Sequence, residues 1–209
     1  GWKARFADDR ARIALSLFAM ERENVQLKAW YNEGPQFVGY TDNAASGENR
    51  GLELEFAWQP VDALSLDGAL GLLDTEIDGF VANDPDLGFV DKSGRDQAQA
   101  PNWQFHVAGE WRFAPHFYAR VEWEGKDAYY FSDSDNQRSD AYTLLHLSAG
   151  YRGKALDVSA WLRNALDETY ATHGFYFGND PRKFYVNEPY YQFGAPRVAG
   201  VSIDYRFGG

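Results

Sequence analysis

Two carboxylate pairs, Glu53/Glu55 and Glu122/Glu124, are the first places in this chain where residue type and spacing could do chemistry. Paired carboxylates on either side of a bond are what acid–base hydrolysis of a glycoside requires. On a strand, however, residues i and i+2 are neighbours on one face, so both pairs read as lining. His146 with Ser148 sets a base near a nucleophile, as ester hydrolysis needs, but no nucleophile elbow or ordered triad accompanies them. Asp133-Ser134-Asp135-Asn136 has carboxylates at calcium-loop spacing without the sixth-position glycine or the closing glutamate. Like Asp84, Asp86 and Asp91, it reads as a solvated acidic loop. We expect no catalytic residue, no metal set, no cofactor and no enzyme.

The segment best suited to touching a ligand runs from His173 to Phe193. It carries Phe175, Tyr176, Phe177, Tyr190 and Tyr191, with Arg182 and Lys183 between them. Aromatic faces stack on planar or sugar-like ligands, and a cationic pair contacts an anionic one. The competing reading is a folded loop packed on itself.

These residues hang on strands. From Trp103 to Phe113 the chain alternates without a break: Trp103, Phe105, Val107, Gly109, Trp111 and Phe113 against Gln104, His106, Ala108, Glu110 and Arg112. A period of two is a β-strand, and about ten tilted residues cross a hydrocarbon layer. The same alternation recurs near residues 2–6, 12–28, 52–58, 64–72, 117–124, 145–151, 156–163 and 199–207, which predicts about nine strands in an all-β chain. The connections are sorted by length. Short ones at 7–9, 60–62, 114–116 and 152–154 alternate with long ones at 29–36, 80–100, 132–140 and 178–196. In an up-and-down meander this puts every tight turn at one end and every long loop at the other, as in outer-membrane barrels. A lectin-like sandwich, soluble or at the cell surface, is the alternative, and has no reason to sort its loops.

The polar faces sharpen this reading. Glu53, Glu55, His106, Glu110, Arg112, Arg120, Glu122, Arg163 and Arg206 would line a wet lumen, whereas a packed interior would demand a partner for each charge. Trp58, Trp103, Trp111, Trp123, Tyr151 and Tyr205 fall near strand ends on the apolar face, where interfacial girdles sit. The net charge of −11 excludes a nucleic-acid binder, which needs a basic face. There is no cysteine, hence no disulfide framework. A mean hydropathy of −0.53 says little, because alternating faces cancel. A start in mid-strand and an odd strand count predict a fragment of a larger barrel.

Several stretches carry a resemblance in order and spacing. They are Asn49-Arg50-Gly51-Leu52-Glu53-Leu54-Glu55 with Trp58-Gln59-Pro60, Leu70–Asp78, Gly94-Arg95-Asp96, Ala100-Pro101-Asn102-Trp103, Arg163–Tyr170, Gly174–Asp180 and the closing Ser202–Phe207. Together they resemble the C-terminal barrel of TonB-dependent receptors over essentially the whole chain. The resemblance implies a partial antiparallel transmembrane barrel, residues 1–209 forming about nine strands of a 22-stranded one, with the plug domain and N-terminal strands outside it. It implies a receptor in the bacterial outer membrane that takes up a scarce nutrient, most often a ferric siderophore. Its implied partners are outer-membrane lipid and lipopolysaccharide, the small-molecule cargo, the inner-membrane energy-coupling complex through the missing N-terminal part, and the barrel-assembly machinery. That machinery would read Tyr205 and Phe207, although here Gly208 and Gly209 follow.

Overall fold

Period-two alternation is realised as one long antiparallel sheet. The computed structural model describes residues 1–33, 36–84 and 86–207, with the side chains of 29–33, 36, 37, 42, 44 and 45 set aside. The strands are β1 (Trp2–Phe6), β2 (Ala11–Glu33), β3 (Gln36–Val61), β4 (Leu64–Asp78), β5 (Val81–Asp84), β6 (Gly88–Asp91) and β7 (Trp103–Ala114). They continue as β8 (Phe117–Lys126), β9 (Tyr142–Arg152), β10 (Leu156–Arg163), β11 (Ala171–Phe177), β12 (Glu188–Phe193) and β13 (Val198–Tyr205). Nine of them form the sheet in the order β1-β2-β3-β4-β7-β8-β9-β10-β13, every neighbour antiparallel. The remaining four make two small hairpins, β5–β6 and β11–β12. This is the wall of a partial up-and-down barrel, and among the described residues no second large sheet packs on it as a sandwich would require.

Register decides what each face meets. One row of directly paired residues runs Ala11, Trp58, Leu66, Gly109, Val121, Leu147, Leu162 and Ala199 across eight strands. The adjacent row, on the other face, runs Arg5, Arg12, Ala57, Asp67, Ala108, Glu122 and His146. Apolar side chains on the first face stay open: Leu17, Trp111 and Ile203 are 67%, 56% and 68% exposed. A water-soluble fold would cover such a face, since burial is worth about 25 cal/mol per Å². Trp111 is eight residue steps beyond Trp103, roughly 27 Å along a strand and near 21 Å along the normal at a typical barrel tilt, close to the ~25 Å apolar band of outer-membrane barrels.

Three of the four expected long connections, at 80–100, 132–140 and 178–196, link wall strands as long stretches, and the fourth does not. Strand pairing in β2–β3 continues past residue 28 to Glu33 opposite Gln36, so the expected loop at 29–36 is hairpin, apart from residues 34 and 35, which lie outside the described residues. The stretch 80–100 holds the β5–β6 hairpin, and 178–196 holds β12, whose partner β11 precedes it. Sequence pattern missed these because β5 and β6 are only four residues each and the aromatic runs Phe175-Tyr176-Phe177 and Tyr190-Tyr191 do not alternate apolar with polar. The last strand ends at Tyr205, leaving Phe207 exposed beyond it with its ring 4.8 Å from that of Tyr205.

Candidate functional site

At the end opposite the tight turns, three long connections, 79–102, 127–141 and 164–197, are tied into one platform. Its floor is an apolar cluster of Leu27, Ile77, Phe80 and Ala82, with Val25 and Tyr40 against it, which roots the β5–β6 hairpin on β2 and β4.

The first two connections are joined through buried charge. Lys92 Nζ lies 2.9 Å from Asp84 Oδ2 and donates to Asn136 Oδ1 at 3.1 Å, with both members of the ion pair buried. Asp84 also accepts from the amides of Asp86 and Leu87. Burial pushes its carboxyl up, but Lys92 and those amides outweigh this and hold it below its ordinary value. Arg95 reaches into the 127–141 connection, donating to the carbonyls of Asp135 (2.8 Å) and Ser132 (2.6 Å) and lying 4.2 Å above the Tyr130 ring. Asp133 accepts from the Ala98 amide, and Gln99 donates to the Phe131 carbonyl. The solvated-loop reading of Asp84 and of Asp133–Asn136 is therefore corrected. Asp84 and Asp135 are buried at a loop–loop interface, and burial raises the Asp135 carboxyl. Among the described residues, no group of three His, Asp or Glu side chains is placed to hold a metal.

The third connection carries the aromatic segment. On β11–β12, Phe175 is paired directly with Tyr190, and the Phe177 and Tyr190 rings are 5.1 Å apart. His173 meets Phe175 edge-on at 4.7 Å, so His173, Phe175, Phe177 and Tyr190 form one aromatic surface, with Phe175 exposed. The opposite face docks onto the platform. Tyr191 donates to Gln137 Oε1 (2.9 Å) and Tyr176 to Asp86 Oδ2 (2.5 Å). That bond pushes the Tyr176 phenol up to about 12. Gly174 is where the Phe131 ring presses in, since a Cβ there would come within 2.4 Å of it. The two cations are already matched: Arg182 grips Asp180 through Nε and Nη2 at 2.9 Å each, and Lys183 pairs with Glu188. Both partners hold these pairs at a 3₁₀ turn, Pro181–Lys183, beyond which Phe184 and Tyr185 stand exposed at positive φ.

The sheet's polar face carries the remaining residues singled out from sequence. Glu110 accepts a two-pronged contact from Arg152 (3.0 and 3.3 Å), Arg120 bonds Glu122 (2.7 Å) and approaches Asp67, and Arg206 bonds Asp157 (2.5 Å). Arg112 bonds the Asp62 carbonyl, and Arg163 stacks on Trp161. Glu53 and Glu55 are exposed, and Glu55, His106, Asp67, Arg5 and Arg12 border a hollow of about 560 Å³. His146 lies on this same polar face, paired directly with Glu122. Its Nδ1 accepts from the Asn164 amide (3.1 Å) and its Nε2 lies 3.4 Å from Glu124, so no ring nitrogen is left to serve Ser148 as a base.

Comparison with known proteins fits this architecture. The family model "TonB dependent receptor-like, beta-barrel" matches residues 1–165. The fold is similar to that of the siderophore receptor PiuA from Acinetobacter baumannii (TM-score 0.75, 16% identity, 97% of this chain and 27% of that one). It is also similar to the ferric yersiniabactin uptake receptor FyuA from Yersinia pestis (0.74, 17%, 99% and 29%). The copper transporter OprC matches at 0.71, with 16% identity over 97% of this chain and 31% of that one. The chain thus spans under a third of each of these structures.

Proposed function

Because the chain belongs to the TonB-dependent receptor-like β-barrel family, we propose that it is the C-terminal wall and outer-loop platform of an outer-membrane receptor for energy-coupled nutrient uptake. In this reading, residues 1–209 complete a barrel whose plug domain and earlier strands lie elsewhere in the receptor. The apolar face meets outer-membrane lipid, and the polar face, from Glu53 and Glu55 to Arg163 and Arg206, lines the lumen. Tyr205 and Phe207 are offered to the barrel-assembly machinery, and the inner-membrane coupling complex acts through the N-terminal part. The cargo is a small molecule, a ferric siderophore; PiuA is a siderophore receptor and FyuA a ferric yersiniabactin uptake receptor.

The observation that carries the reading is the aromatic surface of His173, Phe175, Phe177 and Tyr190, held on a braced hairpin at the loop end of a lipid-belted wall. Arg182 and Lys183 serve the hairpin's shape first, because each already has a carboxylate. The test is binding and iron-limited uptake of a ferric siderophore by the full-length receptor with Phe175→Ala and Tyr190→Ala together. Losing two stacking rings should weaken binding at least tenfold, about 1.4 kcal/mol. Wild-type affinity in a correctly assembled double variant would remove the hairpin from the binding site.

A further inference from the structure

Several rings of this chain are covered by its own cations. Arg95 and Arg138 lie 4.2 and 4.7 Å from the centroid of Tyr130, Arg152 lies 4.0 Å from that of Tyr118, and Lys126 lies 5.7 Å from that of Tyr129. The open face of β11–β12 departs from that habit. Register puts His173, Phe175 and Phe177 there, opposite Gln192, Tyr190 and Glu188. Among the described residues, no guanidinium or ammonium lies over the ring of Phe175 or Tyr190, although Phe175 is 54% exposed. The cations of the same loop are turned elsewhere: Arg182 holds Asp180, and Lys183 holds Glu188. Glu188 lies on the ring face itself and accepts from the Tyr190 phenol at 2.6 Å.

We propose that this face receives a cationic group of the cargo, an ammonium or a guanidinium, seated over Phe175 and Tyr190. The proposal rests on the reading of β11–β12 as the ligand-contacting element and names the charge of what that element contacts. An aromatic ring is negative on its face, so a cation within about 6 Å of the centroid is drawn to it. A phenol that donates to a carboxylate pushes electron density into its ring, which makes Tyr190 a better seat. An anionic group meets the reverse. It faces the negative side of the rings and the Glu188 carboxylate, while Arg182 and Lys183 are engaged in closing the turn. Across the three connections acidic residues outnumber basic ones, so the surrounding field has the same sign. The cargo class this selects is a metal complex with a free amine or guanidine on its periphery, as against a polyanionic one.

The experiment places Gln192→Cys, exposed on the open face and paired with His173, in a full-length receptor carrying no other accessible cysteine. Its reaction rate is measured with trimethylammonium-ethyl methanethiosulfonate and with the anionic sulfonatoethyl analogue, each divided by the rate on a small free thiol. The normalised rate of the cation should exceed that of the anion about tenfold. Phe175→Leu with Tyr190→Leu keeps the apolar bulk and removes the π faces. In that background the ratio should fall to the value at Phe184→Cys, a 90% exposed site on the hairpin tip that feels the field of the loops without these rings. A ratio of one or below at Gln192→Cys, or a ratio that the leucine pair leaves unchanged, overturns the proposal. Neither reagent is a siderophore, so the result is separate from the uptake assay on Phe175→Ala with Tyr190→Ala. A cation preference that persists while that assay fails supports the proposal and removes the siderophore reading alone.

Discussion

Removing Asp84 should damage the outer platform more than removing Lys92, and removing both should hurt less than removing Asp84 alone. In Asp84→Ala the Lys92 ammonium remains buried with Asn136 Oδ1 as its remaining acceptor. An unpaired buried charge of this kind costs about 3–5 kcal/mol. In Lys92→Met the Asp84 carboxylate keeps its amide donors from Asp86 and Leu87 and loses one charge-assisted bond, about 1.5–3 kcal/mol. In the double variant no stranded charge remains, so the penalty should fall below that of Asp84→Ala. Hydrogen exchange on the full-length receptor reads this directly at the amides of 79–102 and 127–141. At about 1.4 kcal/mol per decade, Asp84→Ala should speed exchange there roughly 10²- to 10⁴-fold, leaving the amides of β7–β10 unaffected. A double variant that equals the sum of the two singles would refute the reasoning, because it would mean that the two side chains do not interact.

The other expectations follow from the same contacts. The Tyr176 phenol is raised to about 12 by its bond to Asp86, so the latch it makes is fully present below about pH 10 and lost as pH rises toward 12; a label at the hairpin tip should loosen over that window in the wild type and show no such step in Tyr176→Phe. Gly174→Ala forces a methyl into the Phe131 ring and should cost about 1–3 kcal/mol of local stability, seen as faster exchange in β11–β12. Val121→Arg, on the apolar face, should destabilise the refolded barrel by about 2–4 kcal/mol if Val121 sits near mid-membrane, whereas Arg120→Gln next to it should cost far less, as measured by denaturant titration.

Much of the wall was legible because strand faces are a local property. The alternation from Trp103 to Phe113 specifies which side chains share a face whatever the partner strand, and the register keeps those from Trp103 to Trp111 there, up to the irregularity before Ala114. Strand ends were less legible. Pairing from Ala29 to Glu33 comes from β3 opposite, and the Gly34-Pro35 stretch reads as loop however far the hairpin extends. The platform was the least legible part. Its ties join residues far apart in sequence, such as Asp84 to Lys92 to Asn136 and Tyr176 to Asp86, and nothing local distinguishes a buried aspartate from a solvated one. The aromatic run around Phe175 was visible as composition, but its division into an open face and a docked face needed the pairing of β11 with β12. His146 was noticed beside Ser148, when its working partner is Asn164 in the next loop.

The central claim is that one face of this sheet meets lipid and the other water. Single cysteines introduced one at a time at Val107, Val121, Leu147 and Ile203, and on the other face at Glu110, Arg120, Ser148 and Ser202, would carry spin labels in the full-length receptor reconstituted in bilayers. The account predicts that labels in the first group collide with oxygen dissolved in lipid and are shielded from a water-soluble nickel complex. It predicts the reverse preference, or burial from both, for the second group. Equal access of the nickel complex to Val121, Leu147 and Ile203 would contradict it and return the sheet to water.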